Sequence, residues 1–247
     1  MDKAAIIQVD SIGKAYDGNN AVKQLSFQVR QGELFGMIGK NGAGKSTLLE
    51  LLSCHLQPDV GNVRILGLDA LLEADKLRRQ MNVLAHGSSF VERMTVREAM
   101  ETIQSAYSGS FDIDSHMERF DLLPYEDKWI RSLPGGVKQL ALLAIAIVHD
   151  PKLIFLDEPT TGLDAQAKRE YWSMLEALRA EGKTIIIASH DMSLMQHCCD
   201  RILVLRQGAM AACDSPARLI DSLPGGGLTL EAVYMHFAVG EAGGVGI

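Results

Sequence analysis

Residues 39–47 read GKNGAGKST. They match the pattern G-x-x-x-x-G-K-[ST], with Gly39, Gly44, Lys45 and Ser46 at the fixed places and Asn41, Gly42 and Thr47 completing the loop. The apolar run Leu34-Phe35-Gly36-Met37-Ile38 comes immediately before, and the helix-forming run Ser46-Thr47-Leu48-Leu49-Glu50-Leu51-Leu52 follows. Glycines let the backbone curl so that its N–H groups point inward and form an anion nest. The start of the helix adds its positive dipole end at the same spot. In such a loop Lys45 reaches the β- and γ-phosphates of a nucleotide, and the Ser46 hydroxyl ligates Mg²⁺. The strand–loop–helix context predicts binding of a nucleoside triphosphate, and it commits the chain to an α/β core.

Bulk properties narrow the remaining classes. The chain has 247 residues, 47% of them hydrophobic and 22% charged, as in a globular protein with a sizeable core. The longest apolar run, LALLAIAIV at residues 140–148, is about half of the ~20 residues a membrane-spanning helix needs. The N-terminal MDKAAIIQVD carries no secretory h-region with a cleavage site, so a cytoplasmic location is expected. A net charge of −7 without a basic stripe argues against nucleic acid as a partner. Four cysteines, Cys54, Cys198, Cys199 and Cys213, lack C-x-x-C spacing and read as small buried hydrophobes.

Along the chain, residues 6–12 and 21–29 alternate apolar and polar and read as strands, with a polar turn at 14–20 that includes Tyr16. Residues 63–66 and 81–84 are short strands, and 71–80 read as helix. Residues 95–133 are helix-forming with breaks at Gly109 and Pro124, and read as a helical subdomain inserted into the core. Afterwards helices at 137–149, 165–181 and 191–199 alternate with apolar strands at 153–156, 184–188 and 201–205. That alternation implies a parallel sheet covered on both faces. A short strand from Gly208, a helix near Pro216 and a helix at 229–237 precede a glycine-rich end. The expected architecture is one α/β domain spanning 1–247. It has a P-loop NTPase core with a mostly parallel sheet, an N-terminal antiparallel β-layer, an inserted helical subdomain at about 87–135 and a short helical tail at about 215–247.

A second cluster of polar residues lies downstream. Leu153-Ile154-Phe155-Leu156-Asp157-Glu158 puts two carboxylates at the end of a buried strand, where open α/β sheets collect ligands. Asp157 reaches Mg²⁺ there, directly or through water. Glu158 faces the γ-phosphate and polarises an attacking water. Ile185-Ile186-Ile187-Ala188-Ser189-His190 repeats the device, and His190 is positioned to donate a hydrogen bond as charge builds on the γ-phosphate.

Taken together, these motifs resemble the ATP-binding subunits of ABC transporters, over nearly the whole chain up to about Cys213. GKNGAGKST is similar to their Walker A loop and Leu153–Pro159 to their Walker B, with Glu158 at the general-base position. Thr161-Gly162-Leu163-Asp164 resembles the D-loop, and His190 the switch histidine. Tyr16 falls where the family stacks an aromatic ring on adenine. Leu133-Pro134-Gly135-Gly136-Val137 occupies the place of the LSGGQ signature. The resemblance implies ATP and Mg²⁺ as ligands, and ATP hydrolysis coupled to transport. It implies two partners: a transmembrane permease subunit and a second nucleotide-binding subunit, in a homodimer or heterodimer. ATP is then sandwiched between Walker A of one subunit and the signature of the other, where Gly135 and Gly136 still offer backbone donors; Asp164 of the D-loop is likewise counted among the nucleotide-binding residues. The short form is similar to subunits of export-type (ABC-2) systems. The chain is then expected on the cytoplasmic face of the membrane, held there by its partner.

Two departures from the family pattern stand out. Proline at 134 replaces the signature serine and supplies neither hydroxyl nor N–H. One or two charge-assisted hydrogen bonds, at ~1.5–3 kcal/mol each, are thereby removed from the partner's ATP site. His86 stands where the family usually has a glutamine, and imidazole is a less natural Mg²⁺ partner than an oxygen ligand. The weak signature keeps an alternative function open, a soluble ATP-binding regulatory sensor with weak hydrolysis. A soluble ATPase acting on nucleic acid or ribosomes is disfavoured, because the chain has neither a second cassette nor a basic surface.

Overall fold

The computed structural model describes residues 4–84, 91–107, 111–224 and 229–239. The chain opens with two long antiparallel strands, β1 (Ala5–Tyr16) and β2 (Asn19–Arg30). They are joined at Asp17-Gly18, where both residues have positive φ (47° and 81°). Asp-Gly in the left-handed region is the two-residue turn that matches strand twist. This is why β1 continues through Tyr16 instead of ending in a polar turn at Lys14. β3 (Leu34–Gly39) leads into the glycine loop and α1 (Lys45–Leu52). β4 (Val60–Ile65) and β5 (Leu68–Asp69) then return to the first sheet, whose order is β2-β1-β4-β5.

The helix expected over 71–80 is reduced to α2 (Ala74–Arg78). The Asp69 carboxylate accepts the backbone N–H groups of Leu71 and Leu72 (2.9 and 3.2 Å), and this local turn outcompetes the helical ladder. β6 (Met81–Leu84) follows. The inserted helical region contains α3 (Val96–Ala106), α4 (Ile113–Arg119) and short 3₁₀ turns at Leu123–Tyr125 and Ile130–Ser132. α3 starts at a reciprocal capping box between Thr95 and Glu98.

The second half runs α5 (Gly135–Ile147), β7 (Leu153–Asp157), α6 (Ala165–Ala180), β8 (Thr184–Ala188), α7 (Met192–Cys198), β9 (Arg201–Arg206) and β10 (Ala209–Asp214). α8 (Pro216–Asp221), α9 (Leu230–Val233) and a wide helical turn at Tyr234–Val239 close the described chain. The larger sheet has the order β10-β9-β3-β8-β7-β6. Its neighbours are parallel throughout except for the β10–β9 pair. Among the described residues no helix is long and apolar enough to cross a membrane.

The core divides at this sheet. Phe35 and Met37 of β3, Leu153 and Phe155 of β7, and Ile186 and Ala188 of β8 point toward the smaller sheet and α1. Leu34 and Ile38, Ile154 and Leu156, and Ile185 and Ile187 point the other way, into the helical side with α5, α6 and the inserted helices. Because strand side chains alternate in direction, a strand buried on both faces reads as an unbroken apolar run. Tyr171 and Trp172 of α6 are the largest fully buried side chains on the helical side. Truncating Trp172 to Ala is expected to lower unfolding stability by about 3–5 kcal/mol in urea titrations. Trp172→Phe, which keeps a ring in the site, should cost distinctly less.

Candidate functional site

β3, β8 and β7 are adjacent and parallel, so their carboxyl ends open on one cleft. Each delivers one polar group or loop there. β3 runs into the glycine loop, where Gly42 and Gly44 take φ of 78° and 102°. A Cβ at Gly44 would lie 2.3 Å from the Ala21 carbonyl oxygen, and one at Gly39 would lie 2.6 Å from that of Leu205. Only glycine therefore allows the loop to curl this tightly against its neighbours.

The Lys45 side chain folds back over the loop. Its Nζ donates to the carbonyls of Gly39 (2.8 Å) and Lys40 (3.3 Å), and the residue is buried. Burial pulls its pKa below the ordinary lysine value; the charges of Glu158 and Asp157 oppose that shift without cancelling it. Ser46 Oγ donates to Asp157 Oδ2 at 2.8 Å, which joins the first turn of α1 to the end of β7. The pair is an all-oxygen donor set of the kind a hard divalent cation takes.

Glu158 follows in an unusual backbone conformation, with φ of 49°. A non-glycine residue in the left-handed region stores strain. Here the conformation is held by the Glu158 N–H donating to the Ala188 carbonyl of β8 (2.9 Å). Its carboxylate meets the end of β8. Oε2 accepts from the His190 backbone N–H (3.3 Å) and lies 3.5 Å from the Thr161 hydroxyl. Oε1 lies 3.1 Å from His190 Nε2 without a well-aligned hydrogen bond.

The resulting cleft has a volume of about 640 Å³. Asn41, Gly42, Gly44, Lys45, Ser46, Thr47, Asp157, Glu158 and His190 all line it, and Gly39 sits beneath it through its bond to Lys45. Two further residues, Ala21 and Thr161, complete the wall. Thr161 opens the stretch that resembles the D-loop but was not counted among the site residues, and Ala21 was not singled out from sequence. Thr161 carries a usable signal, since it sits three residues after Glu158 in a turn closed by its N–H on the Glu158 carbonyl (3.3 Å). Ala21 carries none, because what it offers is backbone.

The remaining candidates stand outside this cleft. Tyr16 does not line it; the ring is exposed at the end of the hairpin whose return strand supplies Ala21. Asp164 caps α6, accepting from the N–H groups of Gln166 and Ala167 at 2.9 Å each. Gly135 and Gly136 form the first turn of α5 behind Pro134. A Cβ on Gly136 would meet that of Ala167 at 2.9 Å, and one on Gly135 would meet Leu163 at 3.9 Å. Gly135 and Gly136 thus neighbour Leu163 and Ala167, at the end of the 161–164 stretch and the start of α6. His86 lies outside the described residues.

Comparison with known proteins agrees with this geometry. The family profile described as "ABC transporter" matches residues 22–161, and one described as an AAA domain (putative AbiEii toxin, Type IV TA system) overlaps residues 129–196. The "Nod factor export ATP-binding protein I" of Mesorhizobium japonicum is 38% identical over 227 residues, covering 89% of this chain and 67% of that protein. Its namesake in Burkholderia pseudomallei is 34% identical, over 88% of this chain and 73% of that one. The chain thus spans about two thirds of the length of these relatives. Among solved structures, an ATP-binding subunit of an ABC transporter superposes with a TM-score of 0.84 at 24% identity, over 94% of this chain and 99% of that one. cbiO1 from Clostridium perfringens, part of the ABC transporter complex cbiONQ, superposes with a TM-score of 0.79 at 26% identity, over 90% and 92%. From its Lys45 loop to its paired carboxylates and throughout its fold, the chain belongs to the ABC transporter family and is one of its ATP-binding, ATP-hydrolysing subunits.

Proposed function

We propose that the strand-end cleft binds Mg²⁺-ATP and that Glu158 and His190 carry its hydrolysis. The observation that carries this reading is the position of the Glu158 carboxylate. It lies in the same cleft as Lys45, Ser46 and Asp157 and is bracketed by both the backbone and the ring of His190. The glycine-loop N–H groups and the Lys45 ammonium take the phosphates, with the start of α1 adding its dipole. Ser46 and Asp157 offer the oxygens that would hold Mg²⁺, which when bound neutralises charge across the β- and γ-phosphates. Glu158 orients and deprotonates the attacking water. His190 donates to the γ-phosphate as negative charge develops. Tyr16 stacks on the adenine from the rim.

Gly135, Gly136 and Asp164 have a different place in this reading. They line no part of the chain's own cleft and share a surface with Leu163, as suits groups that meet the ATP of a second nucleotide-binding subunit. Members of this family work with membrane components and dimerise. For this chain we take the partners to be a transmembrane permease of the export type and a second cassette. The residues expected to meet the permease are the helical region from Thr95 to Leu133 and the segment around His86. The names of the relatives support export as the direction. The chain then works at the cytoplasmic face of the membrane. The same relatives disfavour the regulatory-sensor alternative.

Glu158→Gln keeps the shape and removes the base. It is expected to reduce ATP turnover by about 10²-fold or more while leaving ATP binding intact, measured by phosphate release and equilibrium binding on the same preparation. Unchanged turnover would refute the assignment of Glu158. Pro134 has a separate consequence. Its carbonyl accepts the Lys138 N–H (2.8 Å) at the start of α5, but it offers the partner's ATP no donor. In a homodimer, Pro134→Ser is expected to raise turnover several-fold by restoring a donor to each interface. No increase would point instead to an asymmetric pair whose working site faces an intact signature on the other subunit.

A further inference from the structure

The phosphate end of the cleft is built from many groups, whereas the proposed base contact, Tyr16, is an exposed ring near a hairpin tip. What fixes that ring is therefore informative. The ladder from β1 to β4 ends at Gly13–Val60, after an irregularity between Asp10 and Gly13. Beyond Gly13, contact on that side passes to Asp59, the residue just before β4. Its backbone N–H donates to the Gly13 carbonyl (2.9 Å). One carboxylate oxygen accepts from Lys14 Nζ (2.7 Å) and the other from the Ala15 backbone N–H (2.8 Å). Both oxygens are thus spent on the two residues that immediately precede Tyr16. On the far side the hairpin is closed by the Tyr16–Asn19 pair.

Asp59 is also tied to the phosphate end. It follows α1 after a tight turn in which the N–H groups of His55 and Leu56 both donate to the Glu50 carbonyl (2.9 and 3.1 Å). Pro58 precedes it and stiffens the approach. A short path therefore joins the helix whose first turn takes the phosphates to the strand end that carries the ring. Asp59 is half-exposed, so the charge component of its bond to Lys14 is screened by salt. The bond to Ala15 is a geometric constraint on the backbone itself. Those same hydrogen bonds hold the Asp59 carboxyl below the usual carboxylate range, so the acceptor stays ionised at neutral pH.

We propose that Asp59 is a positioning residue for the nucleotide base: it clamps the end of β1 so that Tyr16 presents its ring at a fixed distance from the phosphate loop. The inference rests on the reading that Tyr16 stacks on the adenine, and the test separates the two. ATP and inorganic triphosphate share the phosphates, but only ATP has a base. Dissociation constants for both are measured by calorimetry on the full chain and on Tyr16→Ala, Asp59→Ala and the double variant.

Tyr16→Ala is expected to weaken ATP about tenfold and triphosphate less than about twofold, the size of one lost base–aromatic stack. Asp59→Ala should weaken ATP about three- to tenfold, with triphosphate likewise spared. The double variant should be no worse than Tyr16→Ala alone. Asp59→Asn, which keeps a carbonyl acceptor for Ala15, should recover most of the ATP affinity, and it keeps the test decisive if the alanine variant folds poorly. Equal weakening of ATP and triphosphate by Asp59→Ala, or additive effects in the double variant, would overturn the positioning role. If Tyr16→Ala leaves ATP affinity unchanged, the stacking reading fails first and the positioning role falls with it.

Discussion

Three adjacent strands, β3, β8 and β7, are buried on both faces, and the rest of the molecule follows from that constraint. Each apolar side chain along them is committed to one of two cores, one shared with the antiparallel sheet and α1, the other with α5, α6 and the inserted helices. No polar group fits within such strands without a partner. Polar function is therefore displaced to their ends. Parallel pairing brings the carboxyl ends to one side, so the glycine loop, Asp157-Glu158 and His190 meet there, and the Ser46–Asp157 and His190–Glu158 contacts join them. The core on the side of the smaller sheet also takes α1. Leu48, Leu49, Leu51 and Leu52 bury its body between the sheets while its first turn faces the cleft.

Within the cleft, charge is arranged for a guest that is itself strongly negative. Lys45 is buried against two carbonyls, with Asp157 and Glu158 near enough to favour its charged form. The strained backbone at Glu158 turns a carboxylate toward His190 and away from Ser46, which is occupied by Asp157 instead. Two neighbouring carboxylates thus take different partners, one the hydroxyl at the start of α1 and the other His190. In the proposed mechanism that division separates ligand holding, by Asp157, from proton transfer, by Glu158. The weak point lies on another surface. Pro134 opens α5 with a carbonyl but no donor, and under the proposed sandwich that loss falls on the site of a partner and not on the cleft at Lys45.

Most of the larger sheet was legible because doubly buried strands read as unbroken apolar runs and the glycine loop fixes their direction. The residues of the cleft were legible for the same reason, being polar groups at strand ends. What escaped had local causes. The helix at 71–80 shrank because one side chain, Asp69, captured two backbone N–H groups. β1 ran further than its alternation suggested because the turn needed only Asp17 and Gly18. Ala21 escaped because it acts through its backbone, and Asp59 because its partners lie 44 and 45 positions away in sequence. Asp164 was legible as part of a motif, yet its immediate task in the fold is to cap α6.

In the proposed function everything depends on the nucleotide phosphates sitting in the strand-end cleft. The most direct measurement is the equilibrium dissociation constant of Mg²⁺-ATP for the native chain and for Lys45→Ala, with the melting temperature taken on the same samples. Loss of the Lys45 ammonium removes charge-assisted hydrogen bonds to the phosphates. The account predicts ATP affinity at least about tenfold weaker, with melting changed by no more than a few degrees. ATP affinity unchanged in a folded Lys45→Ala chain would contradict it and move the phosphate site elsewhere.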